Sequence, residues 1–122
     1  MSRESRRINL EKTVAVLEDR FCEDLEAALR RCAAGGSQDL FGHNELPLRS
    51  QYGKRARVWF ADADALLELG NEIDEVRGKL GLPAFPPYAR YIEYRKRRNA
   101  QAPGQHQLAV DFLKELDDKK GR

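Results

Sequence analysis

The 122-residue chain has few of the residue types on which small active sites depend. It contains two histidines, two cysteines, one methionine and one tryptophan. No glycine-rich phosphate loop, nucleophile elbow or paired-cysteine metal motif occurs in it. A metal site would have to join His43 and His106 with a cysteine, and no spacing in the sequence indicates that they converge. We therefore expect neither an enzyme nor a cofactor.

Long apolar runs are also absent, since no stretch approaches the roughly 20 apolar residues that a membrane span requires. The charged segment 1–7 is not followed by the apolar region of a signal peptide. Cys22 and Cys32 are ten residues apart on one predicted helix, hence roughly 15 Å apart, which is too far for a disulfide. These features predict a soluble, cytoplasmic protein with reduced thiols and no membrane partner.

What the chain does contain is enough apolar material to fold. Apolar residues make up 41% and charged residues 34% of the sequence, a balance typical of a folded protein with a strongly charged surface. The length fits one domain with its own core. We predict a single domain over residues 1–122, with flexible ends at 1–7 and 117–122.

The small net charge of +2 hides an uneven distribution. Segment 61–82 has two basic and six acidic residues, a net charge of −4. The segments on either side are basic: 36–60 has four basic and two acidic residues, and 83–106 has five and one. This asymmetry is the first indication of function in the sequence.

A long first helix is predicted from about Ile8 to Cys32. Its apolar residues recur every three or four positions and form one stripe. The members of this stripe are Leu10, Val14, Leu17, Phe21, Leu25, Ala28 and Cys32. The stripe is expected either to pack within the chain or to form the seam of a homodimer.

Three further helices follow. The second is predicted to begin at Asp62, which is its N-cap, and to end before Gly81. Gly81 is expected to adopt the left-handed conformation. The third begins at Pro86 and ends near Asn99, because proline is tolerated in a first turn. The fourth follows Gly104 and has Leu108, Phe112 and Leu116 on its apolar face.

One segment has the alternation of a β-strand. Residues 55–60 place apolar and other side chains on opposite faces, and 46–51 is the predicted partner strand across a turn at Tyr52 and Gly53. A two-stranded hairpin needs support from helices. The predicted fold class is therefore mainly α, a four-helix compact domain with a small β-hairpin between the first and second helices.

The third helix has the most suggestive surface. At 100° per residue, Tyr88 and Tyr91 lie on one side and are predicted to belong to the core. Tyr94 has basic neighbours three or four residues away, which are Arg90, Arg97 and Arg98. Arginine for phosphates and an aromatic ring for stacking are typical of nucleic-acid surfaces. The competing interpretation is an ordinary solvated basic face.

The predicted hairpin repeats this composition. It contains the second candidate group of binding residues, which are Lys54, Arg55, Arg57 and Trp59. On an exposed face Trp59 would be available to stack on a base; alternatively, it covers the edge of the core. A helix-turn-helix is disfavoured because three prolines stiffen and lengthen the connection 82–87.

The sequence therefore predicts a small nucleic-acid-binding protein. Binding would be directed at the backbone, with arginine and lysine neutralising phosphates and Tyr94 and Trp59 stacking on bases. The alternative is a non-catalytic protein-interaction or regulatory adaptor whose basic face binds an acidic protein partner, with a homodimer through the first helix as a further option.

Overall fold

In the computed structural model, residues 3–34, 40–41, 61–100 and 105–120 are described. They form four α-helices: α1 (Arg3–Ala33), α2 (Ala61–Lys79), α3 (Pro86–Ala100) and α4 (Gln105–Lys120). Side chains are described for all of these residues except 61, 98–100 and 120. None of the helices in these ranges is long and apolar enough to cross a membrane.

The predicted fold class, four helices with a β-hairpin, requires correction. The described residues contain no strand, and the fold that they form is all-α. The two segments predicted to pair, 46–51 and 55–60, lie outside the described residues. Alternation over six residues is a weak signal, and an isolated two-stranded hairpin is only marginally stable in water.

The helices alternate in direction along the bundle. Arg31 pairs with Asp62 and Glu18 pairs with Arg77, so α1 and α2 are antiparallel. The pairs Asn71–Tyr88 and Asp74–Phe85 relate α2 to α3 in the same way. Tyr94 stacks on Phe112 while Arg90 pairs with Glu115, which makes α3 and α4 antiparallel. The result is an up-down-up-down helix bundle.

The apolar stripe of α1 packs against other parts of the same chain. Val14, Phe21, Leu25, Ala28 and Cys32 are all at most 5% exposed and belong to one core cluster with residues of the other helices. The prediction that the stripe packs within the monomer is confirmed. A homodimer seam cannot be made from these five side chains as well, because their surface is already buried.

The α2–α3 connection is fixed by hydrogen bonds at both ends. Gly81 has φ of 73°, its N–H donates to the carbonyl of Gly78, and the N–H of Leu82 donates to the carbonyl of Arg77. These two bonds form a Schellman motif, and the left-handed conformation predicted for Gly81 is confirmed. At the start of α3, the N–H of Phe85 donates to the Asp74 carboxylate at 2.8 Å.

Two predicted helix starts differ from the structure. The second helix begins at Ala61, so Asp62 lies in its first turn rather than at the N-cap, and its carboxylate binds Arg31 of α1 at 2.9 Å. The first helix begins at Arg3, five residues before the predicted Ile8. Its apolar stripe stops at Leu10, so the pattern does not reveal the preceding solvated turns.

Residues 3–12 extend α1 beyond the other helices. All of them are exposed except Leu10, which is half-buried. The last turn of α2 is level with Glu18, to which Arg77 donates. This extension, called the overhang below, is about 15 Å long at 1.5 Å per residue. Arg3 and Arg7 occupy the positions where the apolar stripe would continue, so solvent surrounds the overhang.

Candidate nucleic-acid interface

The third helix lies between α2 and α4, and contacts with both of them decide which of its side chains are available. Tyr88 is 7% exposed and donates its hydroxyl to Asn71 of α2 at 2.9 Å. Tyr91 is fully buried. Both tyrosines belong to the core, as predicted.

Tyr94 is also buried, although the role predicted for it, stacking on a base, requires an exposed ring. It is 3% exposed and lies parallel to Phe112 of α4, with ring centroids 4.4 Å apart. It follows Tyr91 by three residues, about 60° around the helix, so α4 covers it while α2 covers Tyr88. A helical wheel of α3 alone does not show that the helix is covered on two sides. A buried ring has no free face on which a base could stack.

The predicted binding arginines of α3 have different surroundings. Arg90 donates to both carboxylate oxygens of Glu115, with Nε–Oε2 at 2.8 Å. This pairing lowers the pKa of Glu115 and raises that of Arg90. Arg97 is exposed, and its guanidinium lies 4.5 Å from the centre of the Tyr94 ring. The side chain of Arg98 is outside the described part of α3.

Sequence reasoning missed two cations on this helix. Arg95 donates to the Leu40 carbonyl and to the Tyr91 hydroxyl, each at 3.3 Å, and therefore has a structural role. Lys96 is 70% exposed, and its ammonium group lies 3.8 Å from the Glu93 carboxylate one turn away. The local run of basic residues was visible in the sequence, but which of them faced solvent depended on the tertiary packing.

The chain after α1 returns to α3 through a short buried contact. Leu40 and Phe41 are at most 1% exposed, and Phe41 packs against the rings of Tyr91 and Tyr94. The hydroxyl of Tyr91 donates to the Leu40 carbonyl at 2.5 Å. Burial raises the pKa of Tyr91 to about 12, so this donor keeps its proton at neutral pH.

These contacts place several chain segments at the same end of the bundle. The N–H of Phe41 donates to the side chain of Gln105, and the thiol of Cys32 donates to the Gln105 carbonyl. Asp62 is there too, paired with Arg31. We call this the basic end of the bundle. The last turns of α3 and both residues that flank segment 42–60, Phe41 and Ala61, lie at it.

The second group of predicted binding residues, Lys54, Arg55, Arg57 and Trp59, lies outside the described residues. Their proposed role therefore stays a prediction. Segment 42–60 has four basic residues and one acidic residue, and α3 has five and one. The two most basic parts of the sequence are thus joined to one end of the bundle.

Among the residues for which the structure gives positions, no group of three histidine, cysteine, aspartate or glutamate side chains is arranged to hold a metal ion. His106 is exposed at the start of α4. The acidic residues Glu68, Glu72 and Glu75 lie along the more solvated side of α2. No known family model matches this chain, and no curated protein or solved structure is significantly similar to it.

Proposed function

We propose that this protein binds nucleic acid through the basic end of the bundle. The observation that carries the proposal is the attachment of the two basic segments to that end. Together, segment 42–60 and α3 have a net charge of +7, from nine basic and two acidic residues. The rest of the chain has a net charge of −5, from thirteen basic and eighteen acidic residues. An excess of positive charge on two segments that are both joined to one end of the bundle favours a partner with a phosphate backbone.

Phosphate neutralisation is the proposed mechanism. Lys96 and Arg97 are the described side chains that would contact phosphates first, because both are exposed on the last turns of α3. Arg98 and the basic residues of segment 42–60, Lys54, Arg55 and Arg57, complete the proposed contact set. Arg90 contributes less than the sequence suggested, because its guanidinium already binds Glu115.

Base stacking has a smaller part in this proposal than in the sequence-based one. Tyr94 is buried against Phe112, so it orients the basic helix instead of contacting a base. Trp59 keeps its proposed stacking role. Because the proposed contacts of Lys96, Arg97 and the basic residues of segment 42–60 are with phosphates, we expect backbone recognition with little sequence preference.

Paired variants test the location of the interface. Changing both Lys96 and Arg97 to glutamine removes two exposed positive charges from the basic end. The matched control changes Arg20 and Lys79, which are 69% and 59% exposed on α1 and α2, to glutamine. Both variants lower the net charge by two. Binding is measured by the fluorescence anisotropy of a labelled oligonucleotide at about 50 mM salt.

The first variant is expected to lower the affinity about tenfold or more, and the control to lower it much less. Equal losses in the two variants would show that overall charge, and not the basic end, determines binding. Binding of an acidic polypeptide such as polyglutamate, without binding of any oligonucleotide, would support the adaptor alternative. We place the activity in the cytoplasm, as the sequence predicts.

A further inference from the structure

An apolar groove lies on α1 away from the basic end. It has a volume of about 310 Å³, and its apolar surface comes from Cys22, Leu25, Pro87 and Leu116. These residues belong to three helices: α1, the first turn of α3 and the last turns of α4. The volume is at the lower limit for ligand pockets. We call this cavity the α1 groove.

The rim of the α1 groove is acidic. Asp19, Glu23 and Glu26 line it from α1. Segment 13–29 as a whole has five acidic residues and one basic residue. An occupant of this groove therefore needs an apolar side chain flanked by positive charges.

The overhang of α1 has this chemistry. Residues 3–12 contain four basic and two acidic residues, and Ile8 among them is 50% exposed. Ile8, Ala15 and Cys22 are spaced by seven residues, so they lie on one face of α1. The apolar side chain of the overhang and the groove are consequently on the same face of the same helix.

We propose that two copies of this chain form an antiparallel homodimer in which the overhang of each copy occupies the α1 groove of the other. A register centred on Ala15 places Ile8 level with the partner's Cys22, at the groove. The same register brings Lys12 within one residue of the level of the partner's Asp19. Because the contact is isologous, it occurs twice and closes the assembly.

The register also juxtaposes two pairs of acidic residues: Glu11 with the partner's Glu18, and Glu4 with the partner's Glu26. Three of these four carboxylates are already paired within their own chain: Glu11 with Arg7 at 3.0 Å, Glu18 with Arg77 at 2.5 Å and Glu26 with Arg30 at 2.7 Å. Of the buried apolar stripe of α1, only Leu25 lines the groove, and the dimer leaves the other members of the stripe untouched. It uses a different face of the helix from the seam expected from the sequence.

A cysteine substitution at Ile8 tests this register. In an Ile8→Cys variant, treatment with the thiol oxidant diamide is expected to form a disulfide between the introduced thiol of one copy and Cys22 of the other. Within one chain the two positions are 14 residues apart on a helix, about 21 Å, and a disulfide requires Cα atoms about 4.4–6.8 Å apart. A covalent dimer on a non-reducing gel, mapped by mass spectrometry to this pair, is the predicted result.

Arg6→Cys is the matched control. It puts a thiol on the same exposed overhang but two residues away, about 160° around the helix from Ile8. It should form the Cys22 cross-link at less than about one tenth of the Ile8→Cys yield. Both substitutions are on exposed turns, and circular dichroism checks that each variant is folded.

Sedimentation provides the independent measurement. The wild-type protein should sediment as a dimer at low salt, and an Ile8→Gln variant should raise the dimer dissociation constant at least tenfold. A monomer at every concentration up to about 1 mM would overturn the proposal. A dimer that is insensitive to Ile8→Gln would also overturn it. In the cross-linking experiment, the proposal fails if Arg6→Cys cross-links as well as Ile8→Cys. It fails too if the dominant product joins the two introduced thiols of Ile8→Cys to each other. If a small amphipathic cation dissociates the dimer into monomers at unchanged salt concentration, the two copies are in contact through the α1 groove.

Discussion

Tyr94 shows at the scale of one residue how packing changes a functional interpretation. Its ring is nearly parallel to Phe112, at an interplanar angle of 11°, and two guanidinium groups lie over it. Tyr94→Ala should lower the free energy of unfolding by about 3–5 kcal/mol, as expected when a buried aromatic ring is removed. Urea denaturation followed by circular dichroism measures this change. A loss below about 1 kcal/mol would contradict the buried placement.

The Arg90–Glu115 pair gives a pH-dependent prediction. Hydrogen bonds from Arg90 hold the pKa of Glu115 below its ordinary value. A depressed carboxyl pKa stabilises the fold above the unfolded-state pKa, and this contribution disappears as the pH falls through the folded-state value. Glu115→Gln should therefore cost about 1 kcal/mol of unfolding free energy at pH 7, a value reduced by the partial exposure of both side chains.

Below the folded-state pKa of Glu115, the same substitution should cost almost nothing, because the wild-type carboxyl is then protonated too. Glu93→Gln is the control. That carboxylate is 55% exposed and lies 3.8 Å from Lys96, so we expect a change near zero at both pH values. A Glu115→Gln penalty that does not decrease as the pH is lowered from 7 to the acid limit of the folded protein would show that the charge of Glu115 is not its cause.

At the scale of elements, the packing of Tyr88 of α3 against α2 depends on Gly70. A Cβ atom at this position would clash with the ring of Tyr88, whereas one at Gly78 would meet nothing within 4 Å. Gly70→Ala should destabilise the protein by about 1–3 kcal/mol through overpacking, despite the gain in helix propensity. Gly78→Ala should stabilise it by about 0.5–1 kcal/mol. Thermal unfolding of the two variants compares them, and a stabilising Gly70→Ala would contradict this helix contact.

Local patterns predicted most of the described helices. The end of α2 followed from Gly81, and the start of α3 from its two prolines, since both signals act within a few residues. The interactions of Asp62 and Tyr94 were predicted incorrectly because their partners, Arg31 and Phe112, are distant in sequence. For the candidate site, the sequence identified the basic helix. It did not indicate that Arg90, Arg95 and Arg97 contact groups of the protein itself.

At the scale of the whole molecule, the order of the helices determines which end of the bundle the basic segments are joined to. The up-down-up-down order of the helices puts the last turns of α3 and the flanks of segment 42–60 at one end of the bundle. The groove and the overhang lie toward the other end, where α1 extends past α2. Binding of nucleic acid at the basic end is therefore compatible with dimerisation through α1, and the two proposals can be tested separately.

The salt dependence of oligonucleotide binding tests the central claim most directly. The six cations of the proposed contact set predict a slope of about −4 to −5 in a plot of log affinity against log salt concentration. Affinity should then fall by two to three orders of magnitude between about 50 and 200 mM salt, and the Lys96/Arg97 double glutamine variant should have a shallower slope by about two. An absence of binding at about 50 mM salt, or an affinity that does not change with salt, would contradict the proposed function.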